Sequence, residues 1–363
     1  MDVNIFEDAL LLDSAAYETE GASTKTANFR VYQFVRQPEG ELTNVIFGKV
    51  IPDLLRLVPG LEIVGDGLET LVSRIRLFVS IPRGDSKITV HVPSCKGNNG
   101  IVLGKTHKTT GFLESNVNLG DCAFGDDNSV GGEIRALELP LVGHFGVEDV
   151  ENTIYFSPPG GWGVVSDIDD TIKDSAVGDV LQTISKTFLE PFEPVTNMPE
   201  LFSSLSTSLS TSDAPAQFFY LSSSPVQLYP HLHPFIQAKF PAGPLILRNY
   251  TFTDIPTLID NLLLPTRDYK LGELRKIHSW YPDKKQLLVG DSTQEDPEAY
   301  GAAFREFGAD WVGCIWIRAV DGSDNSDARF EAAFDGVPRE KWRVFTDPVA
   351  DELSNVDVVG GSC

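Results

Sequence analysis

Cysteine is scarce in this chain, and so are basic residues and long apolar runs. The four cysteines, Cys95, Cys122, Cys314 and Cys363, lie far apart among 363 residues and form no CxxC pair. They read as reduced thiols rather than a disulfide framework, and Cys314, inside the apolar run VGCIWI, reads as a core thiol. The terminal GGSC ends on its cysteine, whereas a prenylation signal continues beyond it. Lysine and arginine number 29 against 52 aspartates and glutamates, a formal net charge of −23. Nucleic acid, whose phosphates demand a basic face, is excluded as a partner. Passive adsorption to anionic membranes, which needs lysine-rich patches, is disfavoured as well. No apolar run approaches the ~20 residues that span a bilayer. The opening stretch has neither the basic nor the apolar region of a signal peptide. A soluble, cytoplasmic protein is the expectation.

What the chain does contain is a pair of carboxylates set at the end of a strand-like run. Val164-Val165 leads into Ser166-Asp167-Ile168-Asp169-Asp170-Thr171. Side chains two apart on a strand share a face, so Asp167 and Asp169 are expected in one small volume. Two carboxylates that close cannot both stay ionised cheaply unless a cation joins them or one keeps a proton. One then suits a nucleophile and the other a proton carrier. An acidic loop is the plainer reading of so short a motif. Residues 167–170 also spell the DxDD proton donor of class II terpene cyclases, but that motif sits among helices and this one follows a β-type run.

Further signals follow in order. Gln217-Phe218-Phe219-Tyr220-Leu221 is a second apolar run, ending in Ser222-Ser223-Ser224-Pro225. Lys270 opens a pattern in which Leu271, Leu274, Ile277 and Trp280 recur at helical spacing. Gln286-Leu287-Leu288-Val289 is another β run, ending in Gly290-Asp291-Ser292, with Asp296 shortly beyond. Singly, each has an ordinary explanation as a turn serine, a solvated lysine or an acidic helix start. Together they suit the ligand-binding carboxyl edge of an open α/β sheet.

In that order the chain resembles the haloacid dehalogenase-like phosphotransferases, with DIDDT at 167–171, Ser222, Lys270 and GDSTQED at 290–296. GVVSDIDDTIKDS, YLSSSPVQLYP, GPLILRNY, LLVGDSTQEDPEAYG and FDGVPREKWRVFTDP are similar to the fungal phosphatidate phosphatases associated with cortical actin patches. The likeness covers roughly residues 155–350, and the preceding residues match only loosely. The resemblance implies that Asp167 attacks phosphorus and carries a transient aspartyl-phosphate. Asp169 would protonate the leaving alkoxide and then deprotonate the attacking water. Ser222 would grip the phosphoryl oxygens, and Lys270 would hold the nucleophile and neutralise charge. Asp167, Asp291, Asp296 and the main-chain carbonyl of Asp169 would form an oxygen-only Mg²⁺ site. Thr171 and Ser223 are expected beside the substrate, Thr171 chiefly ordering the loop. Arg248, at the end of an apolar run, is expected either to bind a substrate phosphate or to pair with a carboxylate. The similar family often carries aspartate in place of Asn249, histidine in place of Tyr269 and asparagine in place of Ser223. These departures leave the chemistry intact and bear on substrate identity.

The expected fold is α/β: a Rossmann-like, haloacid dehalogenase-type parallel sheet with a small cap over residues 156–350. A β-rich, sandwich-like domain at 26–155 precedes it, and flexible stretches at 1–25 and 351–363 flank both. Short β runs at 29–35, 75–80 and 87–92, separated by Gly, Pro, Asn and Asp clusters, carry the first assignment. A helical interlude runs from Ile51 to Val58, and another helix from Val180 to Phe188. The serine- and threonine-rich tract 202–212 reads as a helix end plus a flexible surface connection. Within 251–269, Ile255, Leu258, Ile259, Leu262 and Leu263 fall at helical spacing, as a packed helix or an apolar wall for acyl chains. His231 and His233 have no cysteine at metal spacing, so a structural or rim role is expected rather than zinc.

The function expected is Mg²⁺-dependent hydrolysis of a phosphate ester, phosphatidate to diacylglycerol first. Phosphatidate is an anionic membrane lipid and the chain is acidic. Either a local basic spot near Lys270, Arg275 and Lys276 makes a transient membrane contact, or the substrate is a soluble phosphomonoester or a prenyl diphosphate. A scaffold on a dead phosphatase fold should lack one of Asp167, Asp169, Lys270 or Asp291, and none is lacking. Oligomeric state is not legible.

Overall fold

A computed structural model describes residues 7–18, 24–90, 92, 100–120, 135–139, 152–250, 255–262 and 264–363. Chain order begins with β1 (Glu7–Glu18), β2 (Lys25–Val35), and the helices α1 (Glu39–Val45), α2 (Ile51–Leu57) and α3 (Asp66–Ile75). Strands β3 (Ile81–Pro82), β4 (Lys87–Val90), β5 (Ile101–Lys105), β6 (Phe112–Asn118), β7 (Arg135–Leu139) and β8 (Asn152–Phe156) follow. β2 pairs antiparallel with β1 on one side and with β3 and β6 on the other. β8 runs parallel to β1 and carries β7 at the edge, while β4 and β5 form a separate antiparallel pair.

The alternation of a strand splits this sheet's apolar residues between two cores. Ala27, Phe29 and Val31 of β2 pack with Val90, Ile101 and Leu103 of the small β4–β5 sheet. Tyr32 and Phe34, on the other face, join Leu42, Ile46, Leu54, Leu71 and Ile75 of the helical interlude, and through them the second half of the chain.

That second half runs β9 (Trp162–Asp167), α4 (Val180–Phe188), α5 (Met198–Ser208), β10 (Gln217–Pro225), α6 (Tyr229–Lys239), β11 (Leu245–Arg248), α7 (Ile255–Leu262) and α8 (Arg267–Trp280). It continues with β12 (Lys285–Asp291), α9 (Asp296–Phe307), β13 (Val312–Arg318), α10 (Asp327–Ala333) and β14 (Trp342–Phe345). The strands form one parallel sheet in the order β11-β10-β9-β12-β13-β14. Both faces are covered, which is why the central strands read as unbroken apolar runs. Val164, Phe218, Tyr220, Leu287 and Val289 face α4, α5 and α6. Val165, Phe219, Leu221, Leu288 and Ile315 face α8, α9 and α10. The chain winds outward from β9 to β11, then returns to β12 on the opposite side. The carboxyl end of β9 is therefore the switch point where a crevice opens in such sheets.

Four expectations need correction. The run 75–80 forms no strand, because Ile75 ends α3 and the chain turns before β3. The stretch up to residue 25 was expected to be flexible, yet Glu7–Glu18 is an interior strand with Leu10, Leu11, Leu12, Ala15 and Ala16 buried. Its acidic residues hid it, because Asp13 is fully buried and paired rather than solvated. The tail 351–363 also packs: Leu353 and Val358 enter the larger core. Cys314 is not a free thiol, since it is bonded to Cys363 across a sequence separation of 49. That partner is brought within reach by the docked tail, which spacing along the chain does not reveal. The serine-rich tract is helical as far as Ser208.

Candidate active site

The end of β9 places Asp167 between neighbouring strand ends that carry Ser222 and Asp291. Asp167, Asp291, Asp296 and Lys270 are each no more than 2% exposed. Lys270 Nζ lies 2.6 Å from Asp167 Oδ1 and also contacts Asp296 Oδ1. Lys270 sits one turn into α8, which starts at Arg267 and whose first N–H groups, of Thr266 and Arg267, donate to Glu295 Oε2. Asp296 opens α9, and its Oδ2 accepts the Asp291 main-chain N–H at 3.1 Å. Gly290 makes that approach possible: a Cβ there would lie 2.6 Å from Asp296 Oδ2. Asp291 Oδ1 accepts the Thr293 N–H at 2.6 Å and its hydroxyl as well.

One oxygen from each of Asp167, Asp291 and Asp296 lies within 4.8 Å of the others. Three buried carboxylates face one ammonium, so the cluster carries excess negative charge. Burial and the neighbouring Asp296 and Asp291 carboxylates push Asp167 well above the usual range despite Lys270. Burial and Asp296 likewise push Asp291 up to about 6. Burial alone would lower the Lys270 amine, but Asp167 and Asp296 reverse this and hold it firmly protonated. Thr171 Oγ1 stands 3.2 Å from Asp167 Oδ2 and 3.1 Å from Asp291 Oδ2. A single hydroxyl proton cannot serve both oxygens. An all-oxygen donor set with uncompensated charge fits a hard divalent cation.

Asp169 occupies the opposite environment. Its Oδ1 accepts from Lys173 Nζ at 3.1 Å and Ser175 Oγ at 2.7 Å. Its Oδ2 accepts from Ser222 Oγ at 2.7 Å and Ser224 Oγ at 2.8 Å. Burial would raise this carboxyl, but Lys173 and the hydroxyls of Ser222, Ser175 and Ser224 outweigh it and hold it below the usual range. The carboxylate of Asp169 is thus outside the acidic cluster. Asp170, at φ 58°, closes the turn by accepting from the main-chain N–H groups of Ser175, Ala176 and Val177.

Sequence reasoning had not singled out Lys173, Ser175, Ser224 or Thr293. Ser224 carried a signal, because it lies two residues from Ser222 near a strand end, and both hydroxyls reach Asp169 Oδ2. Lys173 and Ser175 gave none, since a turn rather than a strand brings them back to Asp169.

Arg248 ends β11 beside this edge, its guanidinium carbon 4.6 Å from the Tyr250 ring centroid and 5.0 Å from that of Tyr269. Its NH1 donates to Pro265 O at 3.4 Å, and it forms no ion pair among the described residues. Nearby buried atoms, Asn249 Oδ1, Thr266 Oγ1 and Tyr269 OH, have no hydrogen-bond partner among the described residues. The basic spot expected at Lys270, Arg275 and Lys276 is not free. Lys270 is buried as above, Arg275 pairs with Glu306 at 2.7 Å, and Lys276 pairs with Glu114 at 2.7 Å and Glu273 at 2.9 Å. His233 is buried against Asp13 of β1 at 3.0 Å, a structural role. The insertion 251–269 contains α7, with Leu258 buried in the larger core, while Leu263 lies outside the described residues.

Residues 162–319 match the family model described as phosphatidate phosphatase APP1, catalytic domain. The phosphatidate phosphatase APP1 of Saccharomyces cerevisiae is 29% identical over 219 residues, which are 59% of this chain and 32% of the yeast protein. The match thus spans about a third of the length of that relative. Over these residues the chain resembles the APP1 catalytic domain.

Proposed function

We propose that this protein is a Mg²⁺-dependent phosphatase that hydrolyses a phosphomonoester through an aspartyl-phosphate, with phosphatidate as substrate and diacylglycerol as product. The observation that carries the reading is the pairing of Asp167, buried at the switch point and 2.6 Å from Lys270 Nζ, with a second aspartate two residues on. Likeness to the catalytic domain of a phosphatidate phosphatase supports the substrate class.

Asp167 attacks phosphorus, splitting one slow hydrolysis into two easier steps. Lys270 keeps its carboxylate in place and offsets charge that builds on the phosphoryl oxygens. Ser222, Ser224 and nearby main-chain N–H groups turn to those oxygens, and Arg248 offers a further donor fork toward the substrate. Asp169 is ionised in the free protein. It takes up a proton as substrate draws the serine hydroxyls away, donates it to the leaving oxygen and then takes one from the attacking water, a role worth roughly 10²- to 10⁴-fold. Asp167, Asp291, Asp296 and the Asp169 main-chain carbonyl would hold Mg²⁺, which would supply positive charge at the transferring group. Thr171 Oγ1 stands between Asp167 and Asp291 and gives its one proton to either, ordering the loop beside them. We place the reaction at a membrane surface met transiently from the cytoplasmic side. Among the described residues no helix is long and apolar enough to cross a bilayer.

The test is phosphate release by wild type and Asp167→Asn, with Mg²⁺ and with EDTA, from phosphatidate in mixed micelles, soluble phosphomonoesters and prenyl diphosphates. Release from phosphatidate that disappears with the mutation and with chelation is expected. Release from soluble compounds alone would move the substrate to small-molecule metabolism. Metal binding without release from any of them would overturn the enzymatic reading in favour of a scaffold.

A further inference from the structure

Lys173 is a buried cation that the chemistry above leaves without a task. Its side chain is 2% exposed, and its Nζ reaches Asp169 Oδ1 at 3.1 Å and Ser175 Oγ at 2.5 Å. The aliphatic stem brings the ammonium 5.0 Å from the Phe192 ring centroid. The backbone gives it no freedom to wander. Lys173 N–H donates to Ile168 O at 2.9 Å, and Asp170 N–H donates to Lys173 O at 2.8 Å, which closes the turn around Asp169.

The four donors on Asp169 come from two sides. Oδ1 is held by Lys173 and Ser175, both on the turn that follows the first motif. Oδ2 is held by Ser222 and Ser224, both at the carboxyl end of β10 where the phosphoryl group is to be bound. A phosphoryl group brings oxygen acceptors of its own, so it competes for the hydroxyls on Oδ2 and leaves those on Oδ1 untouched. We propose that Lys173 is a positioning residue: with Ser175 it anchors one oxygen of Asp169, so that substrate frees the other at a fixed distance from the leaving group. The inference rests on Asp169 being the proton donor of the phosphatase reading.

In the step concerned, a bond forms between Asp167 and phosphorus while the bond from phosphorus to the leaving oxygen breaks. The electron pair goes to that oxygen, which receives the proton that Asp169, ionised in the free protein, takes up from water once substrate draws Ser222 and Ser224 off Oδ2. A carboxyl free to rotate or recoil toward solvent would miss that oxygen, and misplacement by about 1 Å can cost roughly 100-fold. A good leaving group such as p-nitrophenolate departs without the proton and is indifferent to the position of the acid.

The experiment compares kcat/KM on p-nitrophenyl phosphate and on glycerol 3-phosphate, with Mg²⁺, for wild type, Asp169→Asn, Lys173→Met and Ser175→Ala. This constant stops at loss of the alcohol and is blind to the later hydrolysis of the aspartyl-phosphate. Lys173→Met is expected to lose about 30-fold or more on the alkyl ester and less than about 3-fold on the aryl ester. Ser175→Ala should show the same asymmetry on a smaller scale, about 5-fold, and carries the test if Lys173→Met does not fold. Equal losses on both esters in a folded variant would overturn the proposal, leaving Lys173 a stabilising ion pair. If Asp169→Asn itself shows no asymmetry, it is the reading of Asp169 that fails.

Discussion

Asp167 and Asp169 are the same residue type two positions apart, and their surroundings push them in opposite directions. Asp167 faces the carboxylates of Asp296, Asp291 and Asp169, and burial with that crowding favours its protonated form despite Lys270. Asp169 faces one lysine and three hydroxyls, and these favour the ionised form against the cost of burial. Away from the site, Lys284 shows the same principle for a cation. It is fully buried with its Nζ donating to Gly160 O, and burial pushes its amine down to about 8 from 10.5. Between those values the unfolded chain binds more protons than the folded one, so stability rises with pH through this window. Lys284→Met removes the titration. The stability of wild type relative to this variant should climb from pH 8 to 10.5, by on the order of 3 kcal/mol, in urea unfolding series. A constant difference across the window would contradict the assignment.

At the scale of elements, the turn from β12 into α9 sets the acidic cluster. Asp296 is useful because α9 starts close enough for its carboxylate to cap the Asp291 N–H, and only a residue without Cβ at 290 allows that approach. Gly290→Ala places a Cβ 2.7 Å from Asp296 Cβ as well, so the helix start must move rather than a flexible side-chain tip. The variant is expected to keep its far-UV circular dichroism, to weaken Mg²⁺ binding by calorimetry, and to lose about 100-fold in phosphate release. Unchanged metal affinity would show that Asp296 is not part of the cation site. α9 meets a second constraint at Gly301, where a Cβ would strike Ala333 O of α10, so this helix is located at both its start and its middle.

For the molecule as a whole, the N-terminal sheet is built into the catalytic half. Asp13 of β1 accepts the Thr153 N–H at 3.0 Å and pairs with His233 of α6 at 3.0 Å, while its own N–H donates to Tyr229 OH at 2.9 Å. Tyr281 OH donates to Ala16 O at 2.7 Å, and Arg74 NH1 of α3 donates to Thr187 O at 2.7 Å. Leu10, Tyr32 and Phe34 belong to the same apolar cluster as Val164 and Phe188. Two halves that share a core should unfold together. All five tryptophans, Trp162, Trp280, Trp311, Trp316 and Trp342, lie in the second half, so their fluorescence reports it alone while far-UV circular dichroism reports both. The two signals should give one midpoint in guanidinium, and Asp13→Ala, which strands a buried histidine and an N–H, should lower both together by about 3 kcal/mol. Separate midpoints would show independent domains.

Much of this was legible along the chain because it depends on local patterns. Buried parallel strands read as apolar runs, each motif residue follows such a run or opens a helix, and so the sheet, its carboxyl edge, and Asp167, Ser222, Lys270, Asp291 and Asp296 could be named from sequence. Asp167 and Asp169 do interact, but through a turn rather than strand alternation, because β9 ends at Asp167 and Asp169 lies in the turn beyond it. That turn, closed by Asp170, decides that one aspartate joins an acidic cluster and the other a cage of donors. Lys173, the interior strand β1, the docked tail and the Cys314–Cys363 bond stayed hidden for a common reason. Each depends on a partner distant in sequence or folded back by a turn, and a charged or isolated residue looks solvated until that partner is placed. Composition and period determined the elements and their order; burial, and the charge each carboxylate carries, followed only from how those elements pack.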